Sequence, residues 1–104
     1  MKILTAAILT LTLATTAQAE ITREEMLERC RQVSNLASAI MEERQSGVTM
    51  QVMMERLKGS EFSMSLVMAA YKQRQNMTEE HQQKSVNEFA SQVYLKCAKE
   101  WESL

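Results

Sequence analysis

Cys30 and Cys97 are the only cysteines of this 104-residue chain, and what they can do depends on oxidation state. Reduced, they are thiols able to attack or to bind metal. Oxidised, they form one covalent staple. Two cysteines allow a single intramolecular pairing. Closing a loop of that length is worth on the order of 4 kcal/mol when counted as loop entropy. Two free buried thiols and an intermolecular bridge are the alternatives.

Methionine supplies the second set of soft side chains. Met50, Met53, Met54 and Leu57 fall at i, i+3, i+4 and i+7, and Met64 and Met68 form an i, i+4 pair. Thioethers select soft ions such as Cu(I), which makes Met50, Met53 and Met54 an alternative metal set. The same spacing is what the inward face of a short helix requires, and Met also lines adaptable binding surfaces. Core packing is the favoured reading. A partner-binding surface over Met50, Met53, Met54, Met64 and Met68 ranks second. Copper ranks third, because dedicated copper sites add His or Cys. No cofactor is expected.

The remaining chemistry is sparse. His81 is the sole histidine and stands beside Glu80 without further partners in sequence. Glutamates pair at 24–25, 42–43 and 79–80, but adjacent helical residues point about 100° apart and do not converge. The first and third pairs suit a helix N-terminus. Glu42 and Glu43, near the end of a helix, are less easily explained, so Glu42, Glu43, Arg44 and Gln45 stand as a candidate surface-contact patch. The chain has no aspartate, which rules out a Ser-His-Asp set. It has no glycine-rich phosphate loop, and too few ligands for a four-residue zinc site. The expectation is a protein that binds and does not catalyse.

The compartment follows from the first 19 residues. Met1-Lys2 is a short positive start, Ile3 to Ala14 carries no charge, and Ala17-Gln18-Ala19 reads as a small-x-small cleavage site. This is the layout of a secretory signal peptide, with an apolar run too short to span a bilayer. Residues 20–104 are then a single small domain in an oxidising space, periplasmic or secreted, where a disulfide persists. Cleavage removes one of 12 basic residues and none of the 13 acidic ones. The mature chain therefore lacks the basic stripe that nucleic acid requires, and no stable membrane span is expected. A core this small is marginal, so a staple helps.

Composition points to helix throughout. There is no proline, there are two glycines, and every acid is Glu, a better helix former than Asp. The spacing predicts an all-α fold of about four helices, over 22–46, 50–58, 61–75 and 79–103. Thr22 with Glu25 forms a capping box, and Ile21 can staple onto Met26. Gly47 serves as the left-handed residue that ends the first helix. Val48-Thr49 opens the second, which stops at Gly59. Ser60 caps the third, Asn76 ends it, and Met77-Thr78 opens the fourth. Arg-Gln precedes two of these starts, at 44–45 and 74–75, and repeated use of one capping chemistry explains this better than duplication.

The apolar seams set the packing. Met26, Cys30, Val33, Ala37 and Ile40 line the first helix, and Val86, Ala90, Val93, Cys97 and Trp101 line the last. Antiparallel packing brings Cys30 level with Cys97, Ala37 with Ala90, and Met41 with Val86. Short turns between four helices give the same direction to the fourth.

The stretch Ala39 to Val48 carries the pattern Ile40-Met41-x-x-Arg44-Gln45-x-Gly47-Val48. Together with the two-cysteine frame, it resembles a group of short, uncharacterised secreted proteins from Gram-negative bacteria and their mobile elements. The likeness spans Cys30 to Cys97 and brings no known activity with it. Acid-stress periplasmic chaperones are similar in size, helicity and single disulfide, an analogy without a shared motif. The leading functional expectation is an exported helical interaction module, chaperone-like, with an unknown protein partner or client. A periplasmic Cu(I) binder and a phage-type regulator with a slowly cleaved signal are the alternatives.

Overall fold

The computed structural model describes residues 21–102, and the expected leader at 1–19 lies outside them. Among the described residues four α-helices follow one another: α1 Arg23–Gln45, α2 Met50–Arg56, α3 Glu61–Tyr71 and α4 Glu79–Glu102. Each begins at the hydroxyl residue expected from sequence. Thr22 accepts from the Glu25 N–H at 3.1 Å, Thr49 from Val52 at 3.3 Å, Ser60 from Ser63 at 3.1 Å, and Thr78 from His81 at 3.2 Å. These bonds satisfy N–H groups that the first helical turn leaves without a partner.

The end of α1 is a Schellman turn. Gly47 has φ +93°, and it is the only described residue with positive φ. Its N–H donates to the Arg44 carbonyl at 3.2 Å, and the Val48 N–H donates to the Glu43 carbonyl at 3.0 Å. A Cβ at Gly47 would meet Gln75 Nε2 at 3.5 Å, an ordinary contact, so the penalty for a side chain there is conformational. Gly47→Ala is expected to cost about 1 kcal/mol, roughly 4–8 °C in Tm. Gly59→Ala meets nothing within 4 Å. The same melting experiment should find that change neutral or slightly stabilising.

α1 and α4 form the long antiparallel pair, joined by the Cys30–Cys97 disulfide with Cα atoms 5.6 Å apart. Higher up the pair, the Ser34 hydroxyl donates to the Ala90 carbonyl at 2.9 Å. α3 lies against α1 and α2. The core gathers Ala37, Ile40 and Met41 of α1, Met53 of α2, Leu66, Val67 and Ala70 of α3, and Val86 and Phe89 of α4. It therefore occupies one end of the long pair. Toward the disulfide end, the buried residues of α1 are Met26 and Cys30, and α4 has none beyond Ala90 among the described residues.

Two helices stop earlier than their sequence spacing predicts. α2 ends at Arg56 rather than 58, with Leu57 as its cap. α3 ends at Tyr71 rather than 75, and Asn76 does not take the left-handed terminating role. For α3 the reason is tertiary. The carbonyls of Gln73 and Arg74 accept hydrogen bonds from side chains at the end of α1, which hold this segment as a loop.

Candidate functional site

Within the patch expected over Glu42, Glu43, Arg44 and Gln45, the last two residues fasten the 73–76 loop to α1. Gln45 is buried, and its amide faces the 73–76 loop from α1. Gln45 Nε2 donates to the Arg74 carbonyl at 2.9 Å, and its Oε1 accepts from the Asn76 N–H at 2.7 Å. Gln75 Nε2 donates back to the Gln45 carbonyl at 3.2 Å. Asn76 carries the connection into α4, donating to Ser85 Oγ and to the His81 carbonyl, while its own carbonyl accepts from Gln82. The two Arg-Gln dipeptides thus meet each other, Gln45 bonding the Arg74 carbonyl and Gln75 the Gln45 carbonyl.

Arg44 donates from Nε and Nη2 to the Gln73 carbonyl at 3.2 and 3.1 Å, with its guanidinium 5.0 Å from the centre of the Tyr71 ring. The Tyr71 hydroxyl donates to the Val48 carbonyl. Burial raises the Tyr71 pKa above its ordinary value, partly opposed by Arg44, so the phenol remains a donor. Glu43 pairs with Arg56 at 3.3 Å across the surface, an exposed contact of small energetic weight. Glu42 remains exposed. Ile40 and Met41 are fully buried. Within Ile40-Met41-x-x-Arg44-Gln45-x-Gly47-Val48, Arg44 and Gln45 dock the α3–α4 connection on α1, Ile40 and Met41 pack the core, and Gly47 and Val48 turn the chain away from α1.

The methionines divide. Met26, Met41 and Met53 are core, Met54 and Met64 are half-buried, and Met50, Met68 and Met77 are exposed. The Met53 sulfur lies 3.8 Å from Arg56 Nη1, which donates to it. Of the i, i+3, i+4 set on α2, only Met53 reaches the core, while Met54 is half-buried and Met50 faces outward. Among the described residues, no three His, Cys, Asp or Glu side chains come together as a metal-ligand group. His81 is exposed, with Nδ1 2.8 Å from the Thr78 hydroxyl.

The surface feature with the chemistry of a binding site lies elsewhere. α3 packs chiefly on α1, and beside the later part of α4 a groove of about 380 Å³ opens. Phe62, Leu66 and Ala69 form one wall and Val93 the other, with Val33 contributing from α1. Phe62 is 51% exposed. Ser65, Lys96 and Glu100 supply the polar lining, and Cys97 is also part of it. Cys97, Val33 and Val93, expected from sequence as residues of the inward seams, border this groove, whereas none of the expected partner-binding residues does. A signal for it exists in the sequence, since Phe62, Ser65, Leu66 and Ala69 fall at i, i+3, i+4 and i+7. Periodicity alone reads that stripe as core.

The other concavities have a different character. A polar trough of about 500 Å³ runs beside Glu24, Glu25, Glu28, Arg29 and Gln32, walled by α1 alone. Its Glu28 carboxyl is held below the usual range by the hydrogen bond from Arg31. A notch of about 170 Å³ between the end of α1 and the start of α4 is lined mainly by Glu and Gln. No described helix is long and apolar enough to cross a membrane. No protein-family model, curated protein or solved structure matches this chain.

Proposed function

We propose that this chain is an exported, non-catalytic helical module that binds apolar segments of other polypeptides in the groove between α3 and α4, in the manner of a small chaperone. The observation that carries this reading is the half-exposed Phe62 beside Leu66, Ala69 and Val93 in an open apolar channel. An aromatic anchor with an aliphatic wall and a polar rim is the arrangement that peptide-binding grooves use. Export is supported by the signal-like residues 1–19 and by the disulfide, which suits an oxidising compartment. The near-neutral charge balance gives no electrostatic footprint for nucleic acid.

Phe62→Ser tests the groove, and Leu95→Ser is its control. Leu95 is 53% exposed, almost the same as Phe62, but does not line the channel. The mature protein should suppress light scattering by heat-unfolded citrate synthase, at neutral or acid pH. Phe62→Ser should weaken that protection by roughly fivefold, the value of about 1 kcal/mol of lost apolar burial. Leu95→Ser should leave it unchanged. No protection at any pH, or equal loss in both variants, would end the proposal.

A further inference from the structure

The disulfide joining α1 to α4 is asymmetric, and the groove lies on one side of it. Cys30 is 1% exposed, packed with its sulfur 3.7 Å from the Met26 sulfur. Cys97 is half-buried and borders the channel of Phe62, Leu66 and Val93. Thiol–disulfide exchange requires a thiolate to reach one sulfur while the other leaves. Space for the incoming group exists beside Cys97, whereas Cys30 is covered.

We propose that Cys97 is the attacked sulfur of the folded protein, and that the groove is where an incoming thiolate forms a mixed disulfide with it. The inference rests on the unequal burial of the two half-cystines and stands apart from the polypeptide-binding reading. The reacting species is a thiolate, RS⁻, from a small thiol or from a cysteine on another polypeptide. Its lone pair forms an R–S bond to Cys97 Sγ as the Cys30–Cys97 bond breaks. The electron pair leaves on Cys30 Sγ. The Cys30 thiolate so released takes up a proton from solvent. The R group then lies in the apolar channel.

Two exits follow. Cys30 can give up its proton and attack Cys97 Sγ again, expelling RS⁻ and restoring the staple. Alternatively a second thiolate attacks the sulfur carried by R, giving RSSR and releasing Cys97 as a thiol. The same geometry runs in reverse. A disulfide oxidant acting on the reduced, folded protein engages Cys97 first, and Cys30 resolves the mixed disulfide. The two cysteines thereby acquire different roles, Cys97 as the point of entry and Cys30 as the resolving thiol.

The test uses the oxidised mature protein and glutathione as the probe thiol. Aliquots are quenched in acid to stop re-closure, alkylated with a maleimide, and mapped by peptide mass spectrometry. Under native conditions, glutathione on Cys97 with maleimide on Cys30 should exceed the reverse pattern by about tenfold, because access selects the sulfur attacked. In denaturing guanidinium the two patterns should approach equality. Ser65 is exposed and lines the channel, so Ser65→Trp narrows the approach without disturbing the core. It should slow native adduct formation several-fold while the melting temperature holds. An equal partition under native conditions overturns the proposal, as does a preference for Cys30. So does a reaction rate that follows global unfolding in urea, which would place the attack in the unfolded chain.

Discussion

Replacing Cys30 and Cys97 together by serine is expected to lower the melting temperature by more than about 15 °C, the equivalent of on the order of 4 kcal/mol in a domain of this size. The two residues are 67 apart in sequence, so the bond removes a large loop from the unfolded ensemble. That loss is a large fraction of the roughly 4–12 kcal/mol that a chain of this length commands. The distribution of the core makes the effect uneven. Ile40, Met41, Val67 and Phe89 hold one end of the α1–α4 pair, while Met26 and Cys30 are the buried residues of α1 at the other. Circular dichroism melts should show the drop, and reduction of the unaltered protein should reproduce it. Hydrogen exchange should find residues 23–34 and 94–102 losing protection before 36–45 and 86–90. A change of less than about 5 °C would mean that packing alone holds the pair.

Gln45→Leu is expected to cost about 2–4 kcal/mol, because two backbone groups lose their partners at once. Leucine matches the volume of glutamine but neither accepts from the Asn76 N–H nor donates to the Arg74 carbonyl, both of which the amide does at 2.7–2.9 Å. The 73–76 loop would then have to find water or rearrange, and Asn76 would loosen from Ser85 and His81. Chemical denaturation gives the measurement. Arg44→Ala is the useful comparison, since its bonds to Gln73 are exposed and replaceable by water. It should cost no more than about 1.5 kcal/mol. If Gln45→Leu cost no more than Arg44→Ala, the buried amide would not be what holds the loop.

The nine residues from Ile40 to Val48 have structural roles that account for their types. Ile40 and Met41 fill the core, Arg44 and Gln45 seize the α3–α4 loop, Gly47 turns the chain, and the Val48 carbonyl receives Tyr71. Polar residues at the end of a helix look like a contact surface when their partner lies about 30 positions further along. The groove was missed for the opposite reason. Phe62, Ser65, Leu66 and Ala69 form an apolar stripe, and such stripes are normally covered.

The helix count, the four N-caps, the left-handed Gly47 and the pairing of Cys30 with Cys97 were all legible in the amino-acid order. Each depends on contacts within a turn or two of the chain, or on there being only two cysteines to join. The end of α3, the division of the methionines and the opening beside Phe62 were decided by tertiary packing. A period of 3.6 says that a face is apolar but not which neighbour arrives to cover it. α3 packs chiefly on α1, and that choice sets Cys97 beside an open channel while Cys30 is buried.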